Sequence, residues 1–259
     1  MELDLQGQTA VVTGASRGIG LAITQALIAE GATVVAGARS TTPALAELVA
    51  SGGAIAVEVD LTDPEAPERL VRAAGGPIDI VVNNVGNAPA RPGGFLSVTD
   101  DQWLATFGLN LMPAVRTVRA ALPAMLEAGR GSIITVCSVN SILADPMVID
   151  YGAAKAALAN FSKALSKEVG PRGVRVNTVS PGPVATDLWL SDRGVAATVA
   201  SATGAPPEDV AAGAAHQSAT GRFSRPDEVA DLVVLLASDR TANVTGADFT
   251  IDGGLVPTW

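Results

Sequence analysis

One cysteine, one tyrosine and one histidine occur in the whole chain, and aromatic residues make up only 3% of it. Cys137 has no partner for an internal disulfide, which suits a reducing compartment and leads us to expect a cytoplasmic protein. His216, with no cysteine near it, makes no metal site, and no metal is expected. Positive charge is also scarce: 17 Lys and Arg stand against 26 Asp and Glu, a net charge of −9. This balance argues against a nucleic-acid or anionic-membrane partner, which would want a basic face, and leaves room for a local basic pocket. No apolar run reaches the ~18 residues of a membrane span. Met1-Glu2-Leu3-Asp4 carries no positive segment followed by an apolar one, so no secretory signal is expected. With aromatics so few, the interior must be built largely of Val, Ile, Leu and Ala.

What the chain does have is 259 residues, 48% of them apolar, ample for one large core. Short β-branched runs alternate with Ala- and Leu-rich segments. Strands are predicted at 9–13, 32–37, 54–59, 78–82, 132–138, 174–179 and 247–251. Helices are predicted at 18–29, 43–50, 64–73, 100–127, 151–169 and 226–237. Near-continuous apolar strands separated by helices imply parallel strands covered on both faces. The expectation is a single α/β domain over 1–259, a doubly wound parallel sheet of about seven strands. Residues 183–222 break the rhythm: they are rich in Gly, Pro, Ala and Thr and follow a strand end directly. We read them as a substrate-binding lid, the alternative being a helical excursion that packs on a partner subunit.

Between the first strand and first helix lies Thr13-Gly14-Ala15-Ser16-Arg17-Gly18-Ile19-Gly20. Gly14 permits a tight turn, Gly18 a close approach of backbone to a pyrophosphate, and Gly20 close helix–sheet packing. The helix N-terminus then offers free N–H groups to phosphate. The end of the second strand reads Ala36-Gly37-Ala38-Arg39-Ser40, with no carboxylate to bind a ribose 2′-hydroxyl. Arg39 and Arg17 instead suit a 2′-phosphate, and NADP(H) is the expected cofactor. Asp60, ending the third strand before Leu61, is placed either to accept from an adenine amino group or to cap the next helix.

Tyr151 and Lys155 stand four residues apart, one turn along one helix face. An ammonium beside a phenol stabilises phenolate, and this predicts a lowered pKa and a proton donor usable near neutral pH. Ser138 ends the fifth predicted strand, at the carboxyl edge of the sheet. Asn110 falls inside the predicted 100–127 helix, either facing solvent or holding a water. Cys137 should turn away from the crevice beside Ser138 as a small buried residue.

With these residues together, the chain resembles the short-chain dehydrogenase/reductase family over essentially its whole length, and within it the NADP(H)-preferring, 3-oxoacyl-carrier-protein-reductase-like branch. Thr13–Gly20 is similar to the family's TGxxxGxG turn, and Asn83-Asn84-Val85-Gly86 to its NNAG segment, with Val85 in place of Ala. Asn177 and Pro181-Gly182 resemble its N-x-V-x-P-G element, and Asp252-Gly253-Gly254 its C-terminal DGG. The resemblance implies a tetrad of Asn110, Ser138, Tyr151 and Lys155. Tyr151 would exchange the proton, Lys155 would tune Tyr151 and hold the nicotinamide ribose, Ser138 would orient the carbonyl, and Asn110 would anchor a water. It implies cofactor contacts from Gly14, Ser16, Arg17, Gly18, Ile19, Gly20, Arg39, Asp60, Leu61, Asn84, Gly86, Tyr151, Lys155, Pro181, Gly182, Val184 and Thr186. The expected activity is hydride transfer from NADPH to the carbonyl of a small-molecule ketone or 3-oxoacyl-type substrate. The alternatives are alcohol oxidation with NAD(P)+ and a non-catalytic nucleotide-binding regulator. A homo-oligomer, tetramer or dimer, is implied too, with the apolar tail Leu255–Trp259 as thin support from the residues themselves.

Overall fold

The computed structural model of the chain describes residues 2–258; Trp259, the end of the apolar tail, lies outside them. Seven strands form one parallel sheet: β1 (Thr9–Thr13), β2 (Thr33–Ala38), β3 (Ala54–Glu58), β4 (Ile80–Asn83), β5 (Gly131–Val136), β6 (Val174–Pro181) and β7 (Asp248–Ile251). Their order is β3-β2-β1-β4-β5-β6-β7, and every pairing is parallel. The chain therefore reverses its direction of growth between β1 and β4, which opens a crevice at their carboxyl ends where ligands bind in such sheets.

Alternation along each strand divides the core in two. Val12, Val34, Val82 and Ile134 face α1 (Gly18–Ala29) and α10 (Pro226–Ala237). Val11, Val35, Val81 and Ile133 face the opposite layer, which contains α3 (Ala66–Arg72), α5 (Met112–Ala128) and α6 (Ile149–Val169). A two-residue side-chain period on a sheet covered on both sides explains why the strands read as unbroken apolar runs. The remaining early helices are α2 (Pro43–Ala50), capped by the Thr42 hydroxyl, and α4 (Asp100–Asn110), opened by a Thr99–Gln102 capping box.

The 100–127 segment, expected as one helix, is two. Pro113 has no N–H to give to the carbonyl of Leu109, and the helix breaks at Leu111, whose φ is −115°. Asn110 is consequently the last residue of α4 and not a mid-helix position. Strand β5 ends at Val136, so Ser138 lies two residues beyond it and opens a short 3-10 turn. Residues 183–222 hold three helices: α7 (Asp187–Leu190), α8 (Val195–Thr203) and α9 (Pro207–His216). Both ends of this segment meet: Ala185 N–H donates to Ser224 O at 2.9 Å and Ser224 N–H to Pro183 O at 3.0 Å. Among the described residues no helix is long and apolar enough to cross a membrane.

Candidate active site

The glycine turn is built as its sequence requires. Gly14 and Gly18 have φ of +67° and +54°, where a side chain would be strained. A Cβ on Gly20 would lie 2.1 Å from the Gly14 carbonyl oxygen, so only glycine closes the turn onto the helix. Asn84 holds the turn from β4, its Nδ2 donating to Thr13 O at 3.1 Å and its backbone N–H to Thr13 Oγ1 at 2.9 Å. Thr42 holds it from the other side through Ser16 O at 2.7 Å. The N-cap of α1 is Arg17, which makes no side-chain cap, and no acid lies in the first turn. The leading N–H groups of α1 therefore face the cleft without a competing side-chain acceptor.

The cleft beyond this turn has a volume of about 850 Å³ and is lined by Ser16, Arg17, Gly18, Ile19, Arg39, Asp60, Leu61 and Thr186, with Gly86 at its inner end. Arg17 and Arg39 are both exposed and both on its wall. Asp60 does not cap α3, whose N-cap is Glu65. Its Oδ1 accepts from Thr62 N–H at 3.0 Å and Thr62 Oγ1 at 2.8 Å, and these bonds hold the carboxyl below its ordinary value. Arg193 from the 183–222 segment lines the same cleft, which nothing in its own sequence neighbourhood indicates.

A second cavity, of about 690 Å³, continues from the inner end of the cleft past Ser138, Tyr151 and Lys155. Pro181, Gly182, Val184 and Thr186 line it from the end of β6, and Trp189, Val195 and Val199 from α7 and α8. Trp189 is fixed by an edge-on contact with Phe223, centroids 5.2 Å apart. Tyr151 and Lys155 stand one turn apart near the start of α6, both buried. Lys155 Nζ donates to Val136 O at 2.9 Å and lies 5.7 Å from the centre of the Tyr151 ring. Ser138 Oγ accepts from Asn140 N–H at 3.2 Å and donates to Asn140 Oδ1 at 3.3 Å, and the residue lines the cavity. Asn110 Oδ1 accepts from Asn87 N–H at 3.0 Å, and its Nδ2 donates to Asn87 O and Thr106 O. A Cβ on Gly86 would lie 2.8 Å from Asn110 Oδ1 and 3.5 Å from Lys155 Nζ. Asn110 and Lys155 thus meet at one glycine that has no room for a side chain, while Ser138, Tyr151 and Lys155 line the cavity together.

The expected lowering of the Tyr151 pKa is not met. Burial pushes the phenol up to about 12, and the Ser138 hydroxyl pulls against that without prevailing. Burial also pushes Lys155 down. The physical reason is desolvation: two groups shut from water both resist charge, and the ammonium is directed at Val136 O. Cys137 is buried, its thiol donating to Lys155 O at 3.3 Å, and burial pushes that thiol up. His216, at the exposed end of α9, contacts Ala212 O through Nδ1.

A buried ion pair frames the site and was not visible in the sequence. Asp150, immediately before Tyr151, is fully buried. It accepts from Arg91 Nε at 3.1 Å and from Thr106 Oγ1 at 2.7 Å. Arg91 N–H also donates to Met147 O at 2.7 Å. The loop 86–91 is thereby pinned twice, at Asn87 by Asn110 and at Arg91 by Asp150. Several of the motif residues prove to be structural ties. Asn177 Nδ2 donates to Val244 O at 2.8 Å, and Asp252 accepts from Gly254 and Val256 N–H groups.

Known proteins resemble the chain along its whole length. The family profile described as Enoyl-(Acyl carrier protein) reductase matches residues 14–256. The 3-oxoacyl-[acyl-carrier-protein] reductase FabG of Escherichia coli is 37% identical over 98% of this chain and 99% of its own. The L-rhamnose 1-dehydrogenase (NAD(P)(+)) of Azotobacter vinelandii is 38% identical over 96% of each. Among solved structures, L-sorbose reductase from Gluconobacter frateurii, complexed with NADPH and L-sorbose, superposes over 100% of both chains with a TM-score of 0.90 and 32% identity. The seven-stranded parallel sheet, the glycine turn and the converging Ser138, Tyr151 and Lys155 agree with these likenesses, and the chain belongs to the short-chain dehydrogenase/reductase family, oxidoreductases that act on CH–OH and C=O groups.

Proposed function

We propose that this chain is an NADPH-dependent reductase of a small-molecule carbonyl, with Tyr151 as the proton donor. The observation that carries the reading is the pairing of two ends of one crevice. At one end Arg17 and Arg39 line the cleft, and the Ala36–Ser40 segment carries no carboxylate of its own; at the other Ser138, Tyr151 and Lys155 line one cavity, with Asn110 and Lys155 meeting at Gly86. The residues present fit a dinucleotide. The positive-φ glycines Gly14 and Gly18, the absent Cβ atoms at Gly20 and Gly86 and the uncapped N-terminus of α1 form a cradle for pyrophosphate. Arg17 and Arg39 would hold a 2′-phosphate, and Lys155 a ribose hydroxyl. NADPH bound in the solved L-sorbose reductase supports the choice of cofactor.

The cofactor supplies the hydride. This chain's residues do the rest. The Ser138 hydroxyl donates to the carbonyl oxygen and fixes its direction, so that developing negative charge meets a donor already in place. Tyr151 gives its proton to that oxygen. A phenol held neutral by burial keeps the proton until the oxygen becomes basic enough to take it. Lys155 Nζ and Asn110 Oδ1 both face the Cβ side of Gly86, where a water between them would return the proton. The same residues run alcohol oxidation in reverse, and the name of the Azotobacter relative favours keeping that direction as the second reading.

In this reading residues 1–259 are one catalytic domain and 183–222 its lid, since Thr186 reaches the cofactor cleft and Trp189, Val195 and Val199 the cavity. Homo-oligomer assembly, tetramer or dimer, in the cytoplasm completes the proposal. The test of the cofactor assignment is Arg39→Ala. Losing a charge-assisted bond to phosphate costs about 1.5–3 kcal/mol, so KM for NADPH should rise about tenfold or more while that for NADH stays nearly unchanged. Equal use of NADPH and NADH by the unaltered protein would refute it.

A further inference from the structure

We infer that the active centre selects for uncharged carbonyl substrates with an apolar body and discriminates against anions, including acyl groups on an acidic carrier protein; this rests on the reductase reading above. The cavity beyond Tyr151 is walled largely by Met147, Trp189, Val195, Val199 and Val210. Three side chains of the classes that carry charge near neutral pH line it: Lys155, Asp145 and Asp209. Lys155 is 3% exposed, its Nζ donates to Val136 O, and in the reading above its other N–H groups serve the ribose and a water, so it gives an incoming anion no direct contact. The other two are carboxylates. Asp145 lies on the exposed rim, its Oδ1 accepting from Met147 N–H at 2.8 Å. Asp209 lies on the exposed first turn of α9.

The nearby cations are all engaged or elsewhere. Arg91 is bound to Asp150, Arg222 to Glu228 at 2.7 Å, and Arg225 to Asp227 at 3.0 Å. Arg193 lines the cofactor cleft and not this cavity. Among the described residues, therefore, no guanidinium or free ammonium faces the space a substrate would fill. An anion entering it loses hydration, finds no countercharge and meets two carboxylates. A neutral ketone loses nothing of the kind and gains the apolar walls. An acidic carrier faces the same rim and a protein of net charge −9.

The test follows NADPH consumption by the intact protein with three compounds that share one 3-oxobutanoyl core: ethyl acetoacetate, acetoacetate and acetoacetyl-carrier protein. At low salt kcat/KM for the ester should exceed that for acetoacetate by about tenfold or more, the gap narrowing as ionic strength rises. The double variant Asp145→Asn, Asp209→Asn should raise acetoacetate relative to the ester by about fivefold, because only a charge effect responds to charge removal. Acetoacetate or the carrier thioester used as well as the ester at low salt overturns the inference and leaves the reductase reading standing. An ester preference that neither salt nor the double variant changes overturns it too. No turnover of any of the three, with NADPH binding intact by fluorescence, overturns the reductase reading and this inference with it.

Discussion

Tyr151 is the only tyrosine of the chain, so its phenol can be followed alone. Burial pushes its pKa up to about 12 in the folded protein, against about 10 for an ordinary tyrosine. At a pH midway between these values the folded chain should show little phenolate absorbance and the urea-unfolded chain a large one. The sign follows: this contribution to stability is complete below the unfolded value and is lost as pH rises through the folded one. Phenolate appearing in the folded protein well below the unfolded midpoint would show that Lys155, and not burial, governs the group. Tyr151→Phe removes the hydroxyl and keeps the ring. Turnover should fall by about 10²–10⁴-fold while NADPH affinity, measured by calorimetry, stays near the parent's, since the phosphate contacts lie at the glycine turn and the two arginines. A variant within tenfold of the parent rate would end the assignment. At this scale the sequence was most legible where a role depends on local spacing. Tyr151 and Lys155 share one turn, and Ser138 follows one strand. The pKa was not legible, because desolvation depends on everything packed around the group.

The helix start that carries Tyr151 is fixed by a contact between residues 59 positions apart, Arg91 and Asp150. No local pattern announces such a pair, and the sequence reading passed over both residues. Burial pushes the Asp150 carboxyl up, but the bonds from Arg91 and Thr106 outweigh it and hold the group below the ordinary range. Its contribution is therefore present above about pH 4 and lost as pH falls through the lower folded value. Asp150→Asn leaves the Arg91 guanidinium without its partner, at a cost of about 3–5 kcal/mol for breaking a buried pair. The urea midpoint should fall at pH 7, and the gap between variant and parent should shrink in acid. A variant as stable as the parent at pH 7 would mean the pair contributes nothing net. Elsewhere the elements were readable to within a few residues, with two instructive exceptions. Pro113 was passed over inside an otherwise convincing helical run, where its missing N–H splits α4 from α5. The Ala-rich lid helices were muted by their lack of large apolar residues, although α8 and α9 do form.

For the molecule as a whole, the parallel sheet was legible because strand–helix alternation admits few other architectures. Assembly was not, since a surface needs coordinates before its patches can be seen. Phe95, Leu96 and Leu104 lie 61%, 96% and 71% exposed at and just before α4. Side chains of that size clustered in so short a stretch mark a surface that another copy can cover. Light scattering at micromolar concentration should return a multiple of 26.0 kDa, and charged replacements at Leu96 and Leu104 should lower it. A monomer mass from the unaltered chain would refute the proposed assembly.

The meeting of Pro183 and Ala185 with Ser224 has a consequence for how such a protein diversifies. A forty-residue excursion whose two ends touch behaves as a detachable cassette. Beyond the bridge, Val184 packs in the core, Thr220 N–H donates to Gly253 O at 3.1 Å, and Thr186 stands against Gly18 of the glycine turn. The entropy of closing a longer or shorter insert changes slowly with its length, so new lids that keep these three residues can be tried at this one address. Inheritance can hold the hydride chemistry constant while the specificity above it turns over, and the same junction offers a protein engineer a place to splice in a lid from a relative.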